Sequence, residues 1–288
     1  MAIRKVCVAM SGGVDSAGAA LLLRQQGYEV FGVTLRLRSA GASDPQEQDI
    51  ADARSVADTL GIPHTVLDLR ELFQREVMDR FVSEYAAGRT PNPCVDCNRG
   101  IKFGELLRRS LELGAEAVAT GHYVRMERDG ATGRCLLKKA LHPEKDQSYV
   151  LYSLTQEQLS RSRFPLGGLS KEEIRAIAAR QGFGNAEKKE SQDICFIPDG
   201  DYAAFLRRYM GREYPPGPFL DQNGRRLGTH EGIVSYTVGQ RRGLGISSEG
   251  RLYVKELRPE DNAVVLSDNA ALFTRVLTAD RLNLIPTD

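Results

Sequence analysis

Four short runs of β-branched and apolar residues, 3–10, 29–35, 64–69 and 117–123, alternate with stretches whose apolar positions recur at helical spacing, about 16–26, 47–60, 71–87 and 98–113. This alternation predicts an α/β domain built on a parallel, doubly wound sheet. Ligands of such sheets bind beyond the carboxyl ends of the strands, so the loop 10–16, Leu35 and Gly121-His122 are expected to converge. Leu35 is a candidate to frame an adenine and Gly121 to approach a nucleotide closely, and both also fit as plain strand-end residues. Further helices are expected at Thr155–Leu159 and Ser170–Gln181, the second opened by Ser170 with Glu173 three residues on, a capping box. Ser191–Ile197 reads as a strand and Asp201–Met210 as a short helix. After Tyr214 the texture changes to Pro215-Pro216-Gly217-Pro218, Asn223-Gly224 and Gly228, with β runs at 231–238, 251–257 and 263–267. The expected division is a catalytic domain over 1–210 and a small β-rich domain over 211–288.

Between the first strand and the first helix lies Ala9-Met10-Ser11-Gly12-Gly13-Val14-Asp15-Ser16. Two glycines let the backbone turn with φ > 0 and bring N–H groups close to an anion, while Asp15 and Ser16 are placed to cap the helix. Its positive end would face phosphates. No lysine follows Gly13, as the ATP motif of kinases and motor ATPases would require. The loop is therefore expected to hold pyrophosphate as a leaving group of ATP, with Mg2+ neutralising the departing charge and Asp15 as the nearest side chain to organise it.

At 288 residues the chain has room for one large core and a smaller module. Its 41% hydrophobic and 27% charged residues, and the absence of a long apolar run or signal-peptide pattern, predict a cytoplasmic protein with no membrane partner. The net charge of +1 does not exclude a nucleic acid, because Arg207/Arg208, Arg225/Arg226 and Arg241/Arg242 cluster in one short segment.

Five cysteines in such a chain argue against a disulfide framework. Cys7, mid-strand, reads as a small buried hydrophobe, and Cys135, in a hairpin-like segment, receives no role. Pro91 and Pro93 stiffen the loop before Cys94 and Cys97, and Cys97 is expected at the start of a helix, where a thiol becomes a better nucleophile or metal ligand. A lone Cys-x-x-Cys also fits half a zinc site or a redox pair, but no second pair completes a zinc site.

Ser-Gly-Gly-x-Asp-Ser resembles the motif of the PP-loop ATP pyrophosphatases. Together with Asn92-Pro93-Cys94-Val95-Asp96-Cys97-Asn98, Thr120-Gly121-His122-Tyr123, Lys145-Asp146-Gln147-Ser148-Tyr149, Ser191-Gln192-Asp193-Ile194-Cys195-Phe196 and Thr237-Val238-Gly239-Gln240-Arg241-Arg242-Gly243-Leu244-Gly245, in this order from about residue 4 to 282, it resembles the bacterial tRNA-specific 2-thiouridylases. The resemblance implies that ATP activates the C2 oxygen of a wobble uridine and that sulfur then displaces AMP. It implies that Cys195 receives sulfur as a persulfide from a donor and that Cys97 is its partner thiol. Asn92, Pro93 and Cys94 would line the pocket for the flipped base, Lys145, Asp146 and Gln147 would contact tRNA, and His122 would assist substrate binding.

Two departures bear on this. Many members of the family carry an aspartate where this chain has Cys94, leaving three thiols, Cys94, Cys97 and Cys195, that could hold a 4Fe-4S cluster whose open iron delivers hydrosulfide. That scheme employs all three thiols; the other leaves Cys94 spare and keeps the persulfide route. The family also usually continues into a further C-terminal β-barrel, so a chain ending at Asp288 is expected to lack most of it, which leaves Arg241 and Arg242 among the candidate contacts to tRNA. Two rival functions remain. A PP-loop enzyme using a nitrogen nucleophile on a small adenylated acid explains the ATP loop alone, and a non-catalytic RNA-binding iron-sulfur protein does not need Asp15, Ser16, Cys97 and Cys195 intact.

Overall fold

A computed structural model describes residues 4–38, 45–188, 194–248 and 250–287. The chain divides into two compact units, one of Met1–Val77, Cys94–Glu190 and Leu282–Asp288, the other of Met78–Pro93 and Ser191–Arg281.

In the first unit β1 (Lys5–Ala9), β2 (Glu29–Arg36), β3 (His64–Asp68), β4 (Ala117–Ala119) and β7 (Ser162–Arg163) form a five-stranded sheet in the order β3-β2-β1-β4-β7, every pair parallel. The alternation along β1 explains its place at the centre. Val6 and Val8 point into a core with α1 (Val14–Gln25), α2 (Pro45–Leu60) and α8 (Lys171–Arg180), while Cys7 points to the other face, against Leu106 and Leu107 of α6 (Leu106–Glu112). Burial pushes the Cys7 thiol up to about 12, so it acts as the apolar filler expected. Helices on both faces make the sheet doubly wound. Chain order reverses at β1, whose neighbours are β2 and β4, so the loops after β1 and β4 meet at the switch point.

A hairpin of β5 (Val124–Arg128) and β6 (Cys135–Lys139) and the short α7 (Gln156–Ser160) complete the unit, with Cys135 buried among Phe103, Val150 and Leu151. Both capping boxes close. Ser170 Oγ accepts from the Glu173 N–H, Glu173 Oε2 accepts from the Ser170 N–H, and Thr155 with Gln158 does the same ahead of α7.

The helix expected over 71–87 is present but interrupted: α3 (Arg70–Phe73), a π-helical turn Gln74–Met78, then α4 (Asp79–Ala86). In the second unit α4 packs its Phe81 against Phe196 and against Phe205 of α9 (Tyr202–Met210), at centroid distances of 5.4 and 6.1 Å. Four strands, β8 (Gly217–Leu220), β9 (Arg226–His230), β10 (Tyr253–Arg258) and β11 (Ala263–Ser267), order as β10-β11-β8-β9. The β run expected at 231–238 is not a strand. Gly232 at φ +128 turns the chain into a single 3-10 turn, Ile233–Ser235, which buries Ile233 and Val234, and Tyr236 stacks edge-on against Phe219. The strand lies just before it, at Arg226–His230.

Candidate functional site

The loop after β1 is preformed. Gly12 adopts φ +74, and a Cβ there would lie 2.3 Å from the carbonyl oxygen of Asp49 in α2, so no other residue fits. Gly13 has an ordinary extended backbone and serves as the N-cap of α1. Asp15 and Ser16 do not cap the helix as expected. Ser16 Oγ folds back into the loop, accepting from the Ser11 N–H at 3.1 Å and donating to the Gly13 carbonyl at 3.0 Å. Ala9 and Met10 lead in, and Met10 is held by its N–H to the Val33 carbonyl and by the Thr34 hydroxyl on its own carbonyl. Val14, buried, starts α1.

Asp15 is the most connected side chain here. Its Oδ1 accepts from the Tyr123 hydroxyl at 2.7 Å, and both oxygens accept from Lys171 Nζ at 2.8 Å. Lys171, Tyr123 and Asn185 escaped the sequence assignment. Asn185, buried, donates to the Gly12 carbonyl at 2.9 Å and so tethers the loop from the far side of α8. One signal for Lys171 was legible: a lysine in the first turn of a helix opposes the helix dipole and calls for a partner.

Gly121 packs where a Cβ would sit 2.8 Å from Asp15, so its closeness is spent on the start of α1. Leu35 lies at the end of β2 beside Leu67, half-buried against the Phe31 and Leu107 core. His122 is buried between Phe103 and Phe164, with Thr120 Oγ1 2.6 Å from Nδ1. Burial, helped by the positive charge of Lys102, holds its pKa well below the ordinary 6.5, so the ring is neutral at pH 7. The sign for stability follows. Below pH 6.5 the unfolded chain binds a proton that the folded His122 refuses, so the contribution present above 6.5 is lost as the pH falls. Between about pH 6.5 and 5 the unfolding free energy of His122→Asn should fall less steeply than that of the native chain, by up to about 1.4 kcal/mol per pH unit, in urea titrations. Parallel slopes would mean that His122 titrates normally.

Lys145 closes a 3-10 turn, Pro143–Lys145, and Asp146 and Gln147 follow it with their side chains facing the protein. Asp146 accepts from the Ala140 N–H and the Ser148 hydroxyl, and Gln147 Oε1 accepts from the Tyr123 N–H. Arg241 and Arg242 are exposed on a turn pinned to β10 through Gly239 and Gln240.

The cysteines differ most from expectation. The helix begins at Pro93, not at Cys97. A single turn, α5 (Pro93–Asp96), runs into a nine-residue π-helix, Cys97–Glu105, and then α6. Asn92 is exposed just ahead, Pro93 is buried, Cys94 is exposed in the first turn and Cys97 is 9% exposed one turn in. Gly104 explains the wide winding, because a Cβ there would come within 2.9 Å of the Arg99 carbonyl five residues back. Gly104→Ala is expected to force the segment to rewind at a cost of about 1–3 kcal/mol, read as a lowered denaturant midpoint together with loss of activity. Activity unchanged at lowered stability would separate the winding from the chemistry.

Ser191, Gln192 and Asp193 lie outside the described residues, and Ile194–Ile197 is a turn closed by the Ile197 N–H on the Ile194 carbonyl, not the expected strand. Phe196 and Ile197 are buried while Cys195 is exposed between them and Ile194. Among the described residues no group of three His, Cys, Asp or Glu side chains stands close enough to hold a metal ion. Among them, too, no helix is long and apolar enough to cross a membrane.

A glycine cradle at the switch point of a parallel sheet defines a nucleotide-using α/β protein of the PP-loop class. A family described as tRNA methyl transferase HUP domain matches residues 4–199, and one described as tRNA methyl transferase PRC-barrel domain matches 203–268. The tRNA-specific 2-thiouridylase MnmA of Heliobacterium modesticaldum is 53% identical over 287 residues, covering 97% of this chain and 74% of that protein. MnmA 1 of Caldanaerobacter subterraneus is 50% identical over 289 residues, covering 98% and 79%. The chain belongs to the tRNA-specific 2-thiouridylase family. Among solved structures, the U34-tRNA thiolase NcsA from Methanococcus maripaludis with its [4Fe-4S] cluster aligns with a TM-score of 0.45 at 17% identity, covering 73% of this chain and 68% of that one, a likeness too distant to bear on function.

Proposed function

We propose that the protein installs sulfur at C2 of the wobble uridine of tRNA in two steps, the first consuming ATP, carried out in the cytoplasm. The observation that carries this is the 53% identity across 97% of the chain with a relative named for that activity. An ATP loop without its own lysine and an exposed thiol on an anchored turn support it chemically.

In the first step the uridine O2 attacks the α-phosphorus of ATP, the bond to pyrophosphate breaks, and the base carries AMP on its C2 oxygen. The N–H groups of residues 12–14 and the positive end of α1 receive the leaving charge, the Ser11 N–H being taken by Ser16 Oγ. Asp15 is the carboxylate that would hold Mg2+, which would supply charge neutralisation for the departing pyrophosphate. In the second step the outer sulfur of a Cys195 persulfide attacks C2 and AMP departs. A Cys97 thiolate then attacks the Cys195 sulfur. The S–S bond breaks, the outer sulfur stays on C2 as the thiocarbonyl, and a Cys97–Cys195 disulfide forms that a thiol reductant reopens. A persulfide carrier reloads Cys195. No step is routed through a cluster.

In this scheme Asn92, Pro93 and Cys94 line the flipped base, whose extrusion costs roughly a few kcal/mol and least in a single-stranded loop. Lys145, Arg241 and Arg242 offer their side chains to tRNA, His122, Asp146 and Gln147 shape the surface beneath it from within, catalysis lies in 1–210, and 211–288 adds RNA contacts.

The test incubates anaerobically purified protein with unmodified tRNA, ATP and a persulfide donor or sulfide, with and without iron-sulfur reconstitution, and reads nucleosides by mass spectrometry. Formation of 2-thiouridine from the persulfide donor without iron is the expected result. Formation only after reconstitution would move sulfur delivery to a cluster, and none in any sample would overturn the substrate.

A further inference from the structure

Lys171 presents a problem of cost. Its side chain is 4% exposed, and its ammonium is shared between the two oxygens of Asp15. An ion pair with one member buried, here Lys171 against an Asp15 side chain 31% exposed, seldom contributes more to stability than well-packed apolar residues of similar size. The contact between α1 and α8 is already apolar, with Gly18 against Ile174 and Leu166. The position, first in α8, also sets a cation at the positive end of a helix. Three unfavourable choices thus coincide at the mouth of a phosphate loop that carries no lysine of its own.

We propose that Lys171 is the cation of this phosphate site, held on Asp15 in the absence of nucleotide and transferred to the β- and γ-phosphate oxygens when ATP binds. The proposal rests on the ATP-dependent reaction assigned above and adds to it a residue that touches the leaving group. On the phosphates the ammonium meets the developing charge on pyrophosphate, so it binds the leaving group more tightly as the P–O bond breaks. AMP, which lacks those phosphates, gains nothing from it. Tyr123, bonded to the same Asp15 oxygen, keeps the carboxylate oriented through the exchange.

The experiment is calorimetric titration of the whole protein with α,β-methylene-ATP, with pyrophosphate and with AMP, each with Mg2+, for the native chain, Lys171→Met and Lys171→Arg. Lys171→Met should bind the ATP analogue and pyrophosphate about tenfold to a hundredfold more weakly, the scale of a lost charge-assisted contact, with AMP affinity held within roughly twofold. Lys171→Arg should recover most of the loss. Equal losses for AMP and the analogue, or no loss for either, would make Lys171 a strut between helices and overturn the proposal. If the native chain binds neither nucleotide, the ATP reading itself fails and Lys171 loses its ligand with it. Lys171→Gln, which keeps a donor towards Asp15, replaces the methionine variant if that one does not fold.

Discussion

Cys195→Ser is expected to form no 2-thiouridine while still releasing pyrophosphate when tRNA and ATP are supplied. A serine oxygen cannot accept sulfane sulfur, so the second step loses its donor. The first step, at the loop 10–16 and Asp15, keeps every group it uses. The fall in thiolation should be about a thousandfold or more, the scale seen when a covalent nucleophile is removed. Folding should hardly change. Phe196 and Ile197 are the buried anchors of the turn, and an exposed substitution stays within about 0.5 kcal/mol. Paired assays of pyrophosphate and of thiolated nucleoside, with a thermal melt as control, measure all three. Full thiolation by the variant would shift sulfur delivery to Cys94, Cys97 or inorganic sulfide. Loss of pyrophosphate release as well would make Cys195 part of base binding.

Gly12→Ala is expected to have the largest effect of any change at the nucleotide loop. The residue stands at φ +74, which costs an L-residue about 1–2 kcal/mol, and its new methyl would meet the backbone of Asp49, which cannot rotate away. Overpacking adds about 1–3 kcal/mol, so a destabilisation of about 2–5 kcal/mol is the outcome in urea titrations. To relieve the overlap the loop must leave α2, and the bond from Asn185 to the Gly12 carbonyl breaks with it. Titration with an ATP analogue should then show little binding. Gly13→Ala is the control. Its backbone is extended and only Ser11 Oγ, at 3.6 Å, would lie near the methyl, so the fold should tolerate it. Equal tolerance at both positions would show that the loop is not preformed.

The sheet was legible because its signal is local. Val6-Cys7-Val8 and Val30-Phe31-Gly32-Val33 have no reading but buried strands once helical segments separate them. The capping box at Ser170 was legible for the same reason. Ile233-Val234-Ser235-Tyr236 misled because burial in a turn and burial in a strand call for the same residues, and only the dihedral of Gly232 decides between them. The cradle could be read from Ser11 to Ser16, yet its braces, Lys171 and Asn185, come from more than 150 residues away, a separation no local pattern spans. For Cys97 the two prolines suggested a loop up to the thiol, whereas Pro93 suits a first helical turn, where its missing N–H costs nothing.

The wide winding from Cys97 to Glu105 carries a consequence for insertions and deletions. An ordinary helix turns the chain by about 100° per residue and a π-helix by less, so shortening this segment by one residue would let it relax to ordinary winding with Cys97 near its present direction, whereas rewinding it at full length would swing Cys97 relative to Leu106. Leu106 is fixed in the core under the sheet, so the thiol would do the moving. The count of residues between Cys97 and Leu106 is therefore tied to their winding, and a homologous chain one residue shorter there is expected to be ordinarily helical with its thiol aimed the same way.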